Sequence, residues 1–133
     1  MSAASTTAAV SESAGLAAIE FTLDGRAVSA RAGETLWEVA LRQGIAIPNL
    51  CHKPGLEPAG NCRACVVEID GERTLAASCC RTPAAGMVVQ SASERARRSQ
   101  KMVLELLLAD MPGHASAPAG YTRHNELARG CWI

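Results

Sequence analysis

The chain has 133 residues, one domain's worth of polypeptide with room for a tail. Its 13 Lys and Arg balance 13 Asp and Glu, which removes any global electrostatic case for nucleic acid or an anionic membrane. Apolar residues reach 48% but aromatics only 3%, so the core must be built from Ala, Val, Leu and Ile, and the odd count is six cysteines.

Met1 to Gly15 is small and polar. It has no basic stretch followed by an apolar one, as a secretory signal would, and no arginine, as a transit peptide would. Residues 1–17 therefore read as a disordered tail. Ile19, Phe21 and Leu23 alternate with Glu20 and Thr22, the period of a half-buried strand. Asp24-Gly25 is a tight-turn dipeptide, and Arg26 to Arg31 returns as the second strand of a hairpin. Thr35-Leu-Trp-Glu38 is a capping box opening a helix that Gly44 ends. Residues 45–62 carry Pro48, Pro54, Gly55, Pro58 and Gly60 and read as loop.

Cys65 to Asp70 is β-branched, Asp70-Gly71 marks a turn, and Arg73 to Ala77 is its expected partner strand. Gly86 to Gln90 offers one more strand. Ser91-Ala-Ser-Glu94 predicts a second capping box, opening a helix over 92–111. Residues 112–133 lack periodicity and read as a tail of uncertain order. The order predicts an α+β fold: a β-grasp domain over 18–91, in which a mixed sheet wraps one helix, with a C-terminal helix appended. The apolar run Met102 to Leu108 is interrupted by Glu105 and is too short to span a bilayer. A soluble, cytoplasmic protein follows, in which thiols stay reduced and serve metals or clusters rather than disulfides.

Cys51, Cys62, Cys65 and Cys79 form the pattern C-x10-C-x2-C-x13-C, with Cys80 and Cys131 outside it. A [2Fe–2S] cluster takes four thiolates. The C-x2-C pair supplies two from one turn, and small neighbours such as Gly60 and Ala64 let backbone amides point at the sulfurs. A structural zinc site also uses four cysteines, usually as two C-x2-C pairs, and stays open on spacing alone. A Rieske centre lacks its second histidine near the pair. A thioredoxin-like motif lacks a helix at Cys62, because a strand follows Cys65 instead.

The runs Ile47-Pro-Asn-Leu-Cys51, Gly60-Asn-Cys-Arg-Ala-Cys-Val-Val-Glu68 and Ala76-Ala-Ser-Cys79 resemble the N-terminal [2Fe–2S] domain of a larger family. That family includes the large iron–sulfur subunit of respiratory complex I, diaphorase subunits of NAD-linked hydrogenases and the α subunit of NAD-dependent formate dehydrogenases. Asp70 to Arg73, Arg81-Thr-Pro83 and Met102 to Asp110 are most similar to the formate dehydrogenase subunit. The resemblance implies one [2Fe–2S] cluster on Cys51, Cys62, Cys65 and Cys79, with Cys79 preferred over Cys80. It also implies electron transfer within a redox complex of formate- or NADH-oxidising type, whose partner subunits carry flavin or iron–sulfur centres.

The family continues into a segment needing three further cysteines, and only Cys131 follows Cys80. The expectation is a separate small electron-transfer subunit or a shortened α subunit, unable to oxidise formate alone. No acid/base pair or nucleophile set suggests a catalytic centre. The competing reading is a zinc-stapled structural interaction module. His52 is expected to cover the cluster as a loop residue, Cys80 to be a spare thiol, and Arg63 to be either a solvated cation or an electrostatic influence. His114, His124 and Cys131 sit in the aperiodic tail and make a weak metal site. The helix is apolar nearly all round over Met102 to Leu108, which leaves two expectations open: a partner surface, or packing wholly on its own sheet.

Overall fold

The computed structural model describes residues 18–110. The two tails, with His114, His124 and Cys131, lie outside the described residues. Five strands and two helices follow in the order β1 (Ile19–Leu23), β2 (Arg26–Ala30), α1 (Leu36–Arg42), β3 (Val66–Ile69), β4 (Ala76–Ala77), β5 (Val88–Gln90) and α2 (Glu94–Asp110). The strands form one mixed sheet in the order β2-β1-β5-β3-β4. β1 pairs antiparallel with β2 and parallel with β5, while β3 pairs antiparallel with both β5 and β4. This is the expected β-grasp arrangement with its appended helix.

The first hairpin follows its sequence signal closely. Asp24 and Gly25 both adopt positive φ, +50° and +78°, the type I′ conformation that matches strand twist. The register Leu23↔Arg26 and Phe21↔Val28 then sends Phe21, Leu23, Val28 and Ala30 to one face. Leu36, Trp37, Val39 and Ala40 of α1 meet them there, with Val67, Ile69, Ala77 and Val89 completing the core. Thr35 caps α1 as predicted: Glu38 N donates to Thr35 Oγ1 at 3.3 Å, and Thr35 N donates to Glu38 Oε2 at 2.8 Å. The helix ends in a Schellman motif. Gly44 N donates to Leu41 O and Ile45 N to Ala40 O, with Gly44 at φ +73°.

Two local expectations fail. The strand expected over Arg73 to Ala77 shrinks to Ala76–Ala77. Asp70 does not take positive φ, so no two-residue hairpin forms. Glu72 N closes a turn onto Ile69 O, and Glu72 pairs with Arg81 instead of extending the ladder. The capping box expected from Ser91 does not form either. Ser91 N and Oγ both donate to the Asp24 carboxylate, at 2.7 and 2.5 Å. Ser93 caps α2 in its place, accepting from Ala96 N at 3.1 Å.

The residues of β3 alternate. Val67 and Ile69 face the α1 core, whereas Val66 and Glu68 meet α2. α2 buries Ala96, Gln100 and Leu104, one residue per turn. Gln100 Nε2 donates to Val66 O at 2.9 Å. Met102, Leu106 and Leu107 remain exposed, so the helix does not pack wholly on its own sheet.

Candidate metal centre

Three segments bring the cysteines to one end of the molecule: the loop after α1, the turn before β3 and the turn after β4. The start of α1 braces the third. Leu36 N donates to Arg81 O at 2.8 Å and Trp37 N to Ser78 O at 3.0 Å. Amides that every helix leaves unpaired at its N-terminus are thereby satisfied by the Cys79 turn. Ser78, fully buried, donates from N and Oγ to Cys65 O at 3.1 and 2.6 Å, so the backbones carrying Cys65 and Cys79 are tied together.

The thiols are grouped two and two. Cys51 faces Cys62, whose amide is the main influence holding the Cys51 thiol below its usual pKa range. The Cys62 thiol acts in the same direction, burial opposes both, and the Asn61 and Cys51 amides add smaller lowering effects. Cys79 faces Cys65. Burial first, then Cys65 and Cys80, push its thiol well above the usual range. Among the described residues no group of three or more His, Cys, Asp or Glu side chains closes on a single metal-ion position. Four cysteines with one C-x2-C pair among them are a donor set that a [2Fe–2S] cluster uses.

Backbone amides complete the donor set. Arg63 sits at φ +57° and Gly60 at φ +65°, left-handed positions that bend the loop around the pair. Ala64 N donates to Cys62 Sγ at 3.5 Å. Such amides stabilise an anionic cluster. The residues present therefore fit a [2Fe–2S] cluster, by the chemistry of their donors and by the amides turned toward them.

His52 lies in the loop after Cys51, as expected, and is buried there. It is 9% exposed, its ring meets Trp37 edge-on at 5.0 Å, and neither ring nitrogen has a hydrogen-bond partner. Trp37 Nε1 donates to Ile47 O at 3.2 Å and so anchors the loop that leads to Cys51. A cavity of about 450 Å³ opens beside His52, lined also by Glu38, Leu56, Cys79 and Cys80. Trp37 and Ser78 carry no motif of their own. Trp37 did offer one signal: where aromatics are 3% of the chain, each one has a specific place to fill.

Residues 17–94, more than half of the chain, match the family described as "2Fe-2S iron-sulfur cluster binding domain", and the chain belongs to that family. Among its relatives is the mitochondrial 78 kDa subunit of NADH-ubiquinone oxidoreductase from Candida albicans, 41% identical over 73% of this chain and 14% of that protein. A subunit of NADH-quinone oxidoreductase from Streptomyces coelicolor is 43% identical over 71% of this chain and 11% of its own length. A subunit of the NADP-reducing hydrogenase of Solidesulfovibrio fructosivorans is 40% identical over 71% and 17%. A crystal structure of an NAD+-reducing [NiFe]-hydrogenase superposes with a TM-score of 0.69 at 33% identity, over 86% of this chain and 50% of that one. The chain thus spans a minor part of the lengths of the three relatives matched by sequence. No helix among the described residues is long and apolar enough to cross a membrane.

Proposed function

We propose that this chain is an electron-transfer module that holds one [2Fe–2S] cluster on Cys51, Cys62, Cys65 and Cys79. The observation that carries the reading is the meeting of the cysteine-bearing segments, with the Ala64 amide on Cys62 Sγ and Ser78 tying the Cys65 backbone to that of Cys79. When bound, the cluster supplies a one-electron couple. The chain's own residues do the rest. The Asn61, Cys62 and Ala64 amides offset thiolate charge, and Ser78 fixes Cys65 relative to Cys79. Trp37 packs edge-on against His52 and anchors the loop that leads to Cys51.

The holding unit is residues 18–91, with α2 appended, and it works in the cytoplasm as a subunit of a redox complex of the formate dehydrogenase or NADH dehydrogenase type. Two of the relatives above are subunits of NADH-oxidising complexes by name and a third is a hydrogenase subunit, and that supports this assignment. Anaerobic purification is expected to give a brown protein whose visible absorption is bleached by dithionite, with two irons and two sulfides per chain. A colourless protein with one zinc per chain would overturn the reading in favour of a structural module. Cys62→Ser is expected to remove the colour. Recovery of formate- or NADH-oxidising subunits with the native protein checks the assignment to a complex.

A further inference from the structure

Cys80 stands outside the two pairs, yet its side chain is held against them. Its Sγ lies 3.6 Å from Cys79 Sγ and 3.8 Å from Pro58 O. Gly60 lies on a further side, where a Cβ would come within 2.8 Å of that sulfur. The thiol is therefore seated by the loop that carries Cys62, although Cys80 as a residue is exposed.

We infer that Cys80 is a positioning residue for the couple, its S–H donating a hydrogen bond to the sulfur of Cys79. The inference rests on the cluster reading above. Between two free thiols either sulfur can donate. Once Cys79 is an iron-bound thiolate it has no proton left, and Cys80 becomes the donor. The Pro58 carbonyl is a competing acceptor, but it is farther away and uncharged, whereas the thiolate attracts the donor by charge as well. A hydrogen bond to a cluster sulfur favours the more negative, reduced state, so it raises the reduction potential. No bond is made or broken and no proton leaves Cys80.

The test is a potentiometric titration of the brown holoprotein. In Cys80→Ala the donor is gone, and the reduced-to-oxidised ratio at a fixed ambient potential is expected to fall several-fold. Cys80→Ser keeps an O–H donor and is expected to hold the ratio at or above the wild-type value. A ratio unchanged in Cys80→Ala, or falling equally in both variants, overturns the inference while leaving the cluster reading intact. A colourless wild-type protein would instead overturn the cluster reading itself. Should Cys80→Ala fail to load, N-ethylmaleimide is applied to holoprotein carrying Cys131→Ser, where Cys80 is the one cysteine outside the four ligands. The ratio is then expected to fall on alkylation, and an unchanged ratio overturns the inference. If Cys79→Ser keeps a full cluster while Cys80→Ser loses it, Cys80 is itself the ligand and the donor role is wrong.

Discussion

At Gly60 two demands meet: a φ of +65°, and Cys80 Sγ standing 2.8 Å from where a Cβ would be. Gly55 shares only the first, at φ +87° with nothing within 4 Å. Alanine at either position meets backbone strain of about 1 kcal/mol. Only at Gly60 must a neighbouring thiol also move. Gly60→Ala is thus expected to lower both unfolding free energy and cluster content per chain, and Gly55→Ala to lower stability alone. Denaturant titration and iron analysis separate the two. The two Asp-Gly dipeptides carry a related lesson. The Asp24 carboxylate is held by Ser91 and both turn residues take positive φ, whereas at Asp70-Gly71 only the glycine does and the turn is of another type. A dipeptide states a preference, and contacts distant in sequence decide it.

Both helices pack apolar side chains on the sheet, and each adds polar ties. α1 is joined to the first hairpin by a polar clasp. Arg42 bonds both Glu34 oxygens, at 3.0 and 2.9 Å, and Ser29 O at 2.7 Å, while Arg31 N donates to Glu34 Oε2. The hydrogen bond from Arg42 holds the Glu34 carboxyl below its ordinary range. Because the folded pKa is depressed, the clasp's stabilisation is present above the unfolded value of about 4.3 and is lost as pH falls through the folded one. Glu34→Gln is expected to flatten that acid limb of the stability profile, read by denaturant titration across pH. α2 packs through Ala96 and Leu104 and is tied by Gln100 to Val66 O. Leu104 is 3% exposed and Leu106 is 64% exposed. Leu104→Ala is expected to cost about 2–5 kcal/mol and Leu106→Ala under about 0.5 kcal/mol. Thermal unfolding of the two variants checks the assignment of faces.

Across the whole molecule, what the sequence makes legible is what neighbouring residues decide. Ile19 to Leu23, the Asp24-Gly25 turn, the Thr35 capping box and the Gly44 stop are all local signals, and the structure follows each. The shift of the cap from Ser91 to Ser93 depends on a partner far along the chain, Asp24, and β4 is short where Glu72 pairs with Arg81. Periodicity cannot display those. The same holds at the cysteines. Their spacing picks out four positions, but the Trp37–His52 contact, the Ser78 tie and the seat of Cys80 depend on three separated segments meeting. A cluster on the four candidate thiols would need all four deprotonated, and burial resists this at Cys79. Cluster loading is therefore expected to release protons and to weaken as pH falls, a trend measured by iron retention after equilibration at graded pH.

The strand order has a consequence in time. β5 is last in sequence but central in space, and it joins the β1–β2 hairpin to the β3–β4 pair. All four candidate ligands are synthesised before it, yet the sheet that supports them stays in two halves until Val88 to Gln90 emerge. Non-local pairing of this kind is slow to form, and a growing chain folds only as its partners become available. The nascent thiols therefore lack a finished sheet until Val88 to Gln90 emerge, and cluster uptake is expected to follow closure of the sheet. A chain ending before Val88 is expected to take up no stable cluster, whereas one ending after α2 is expected to do so.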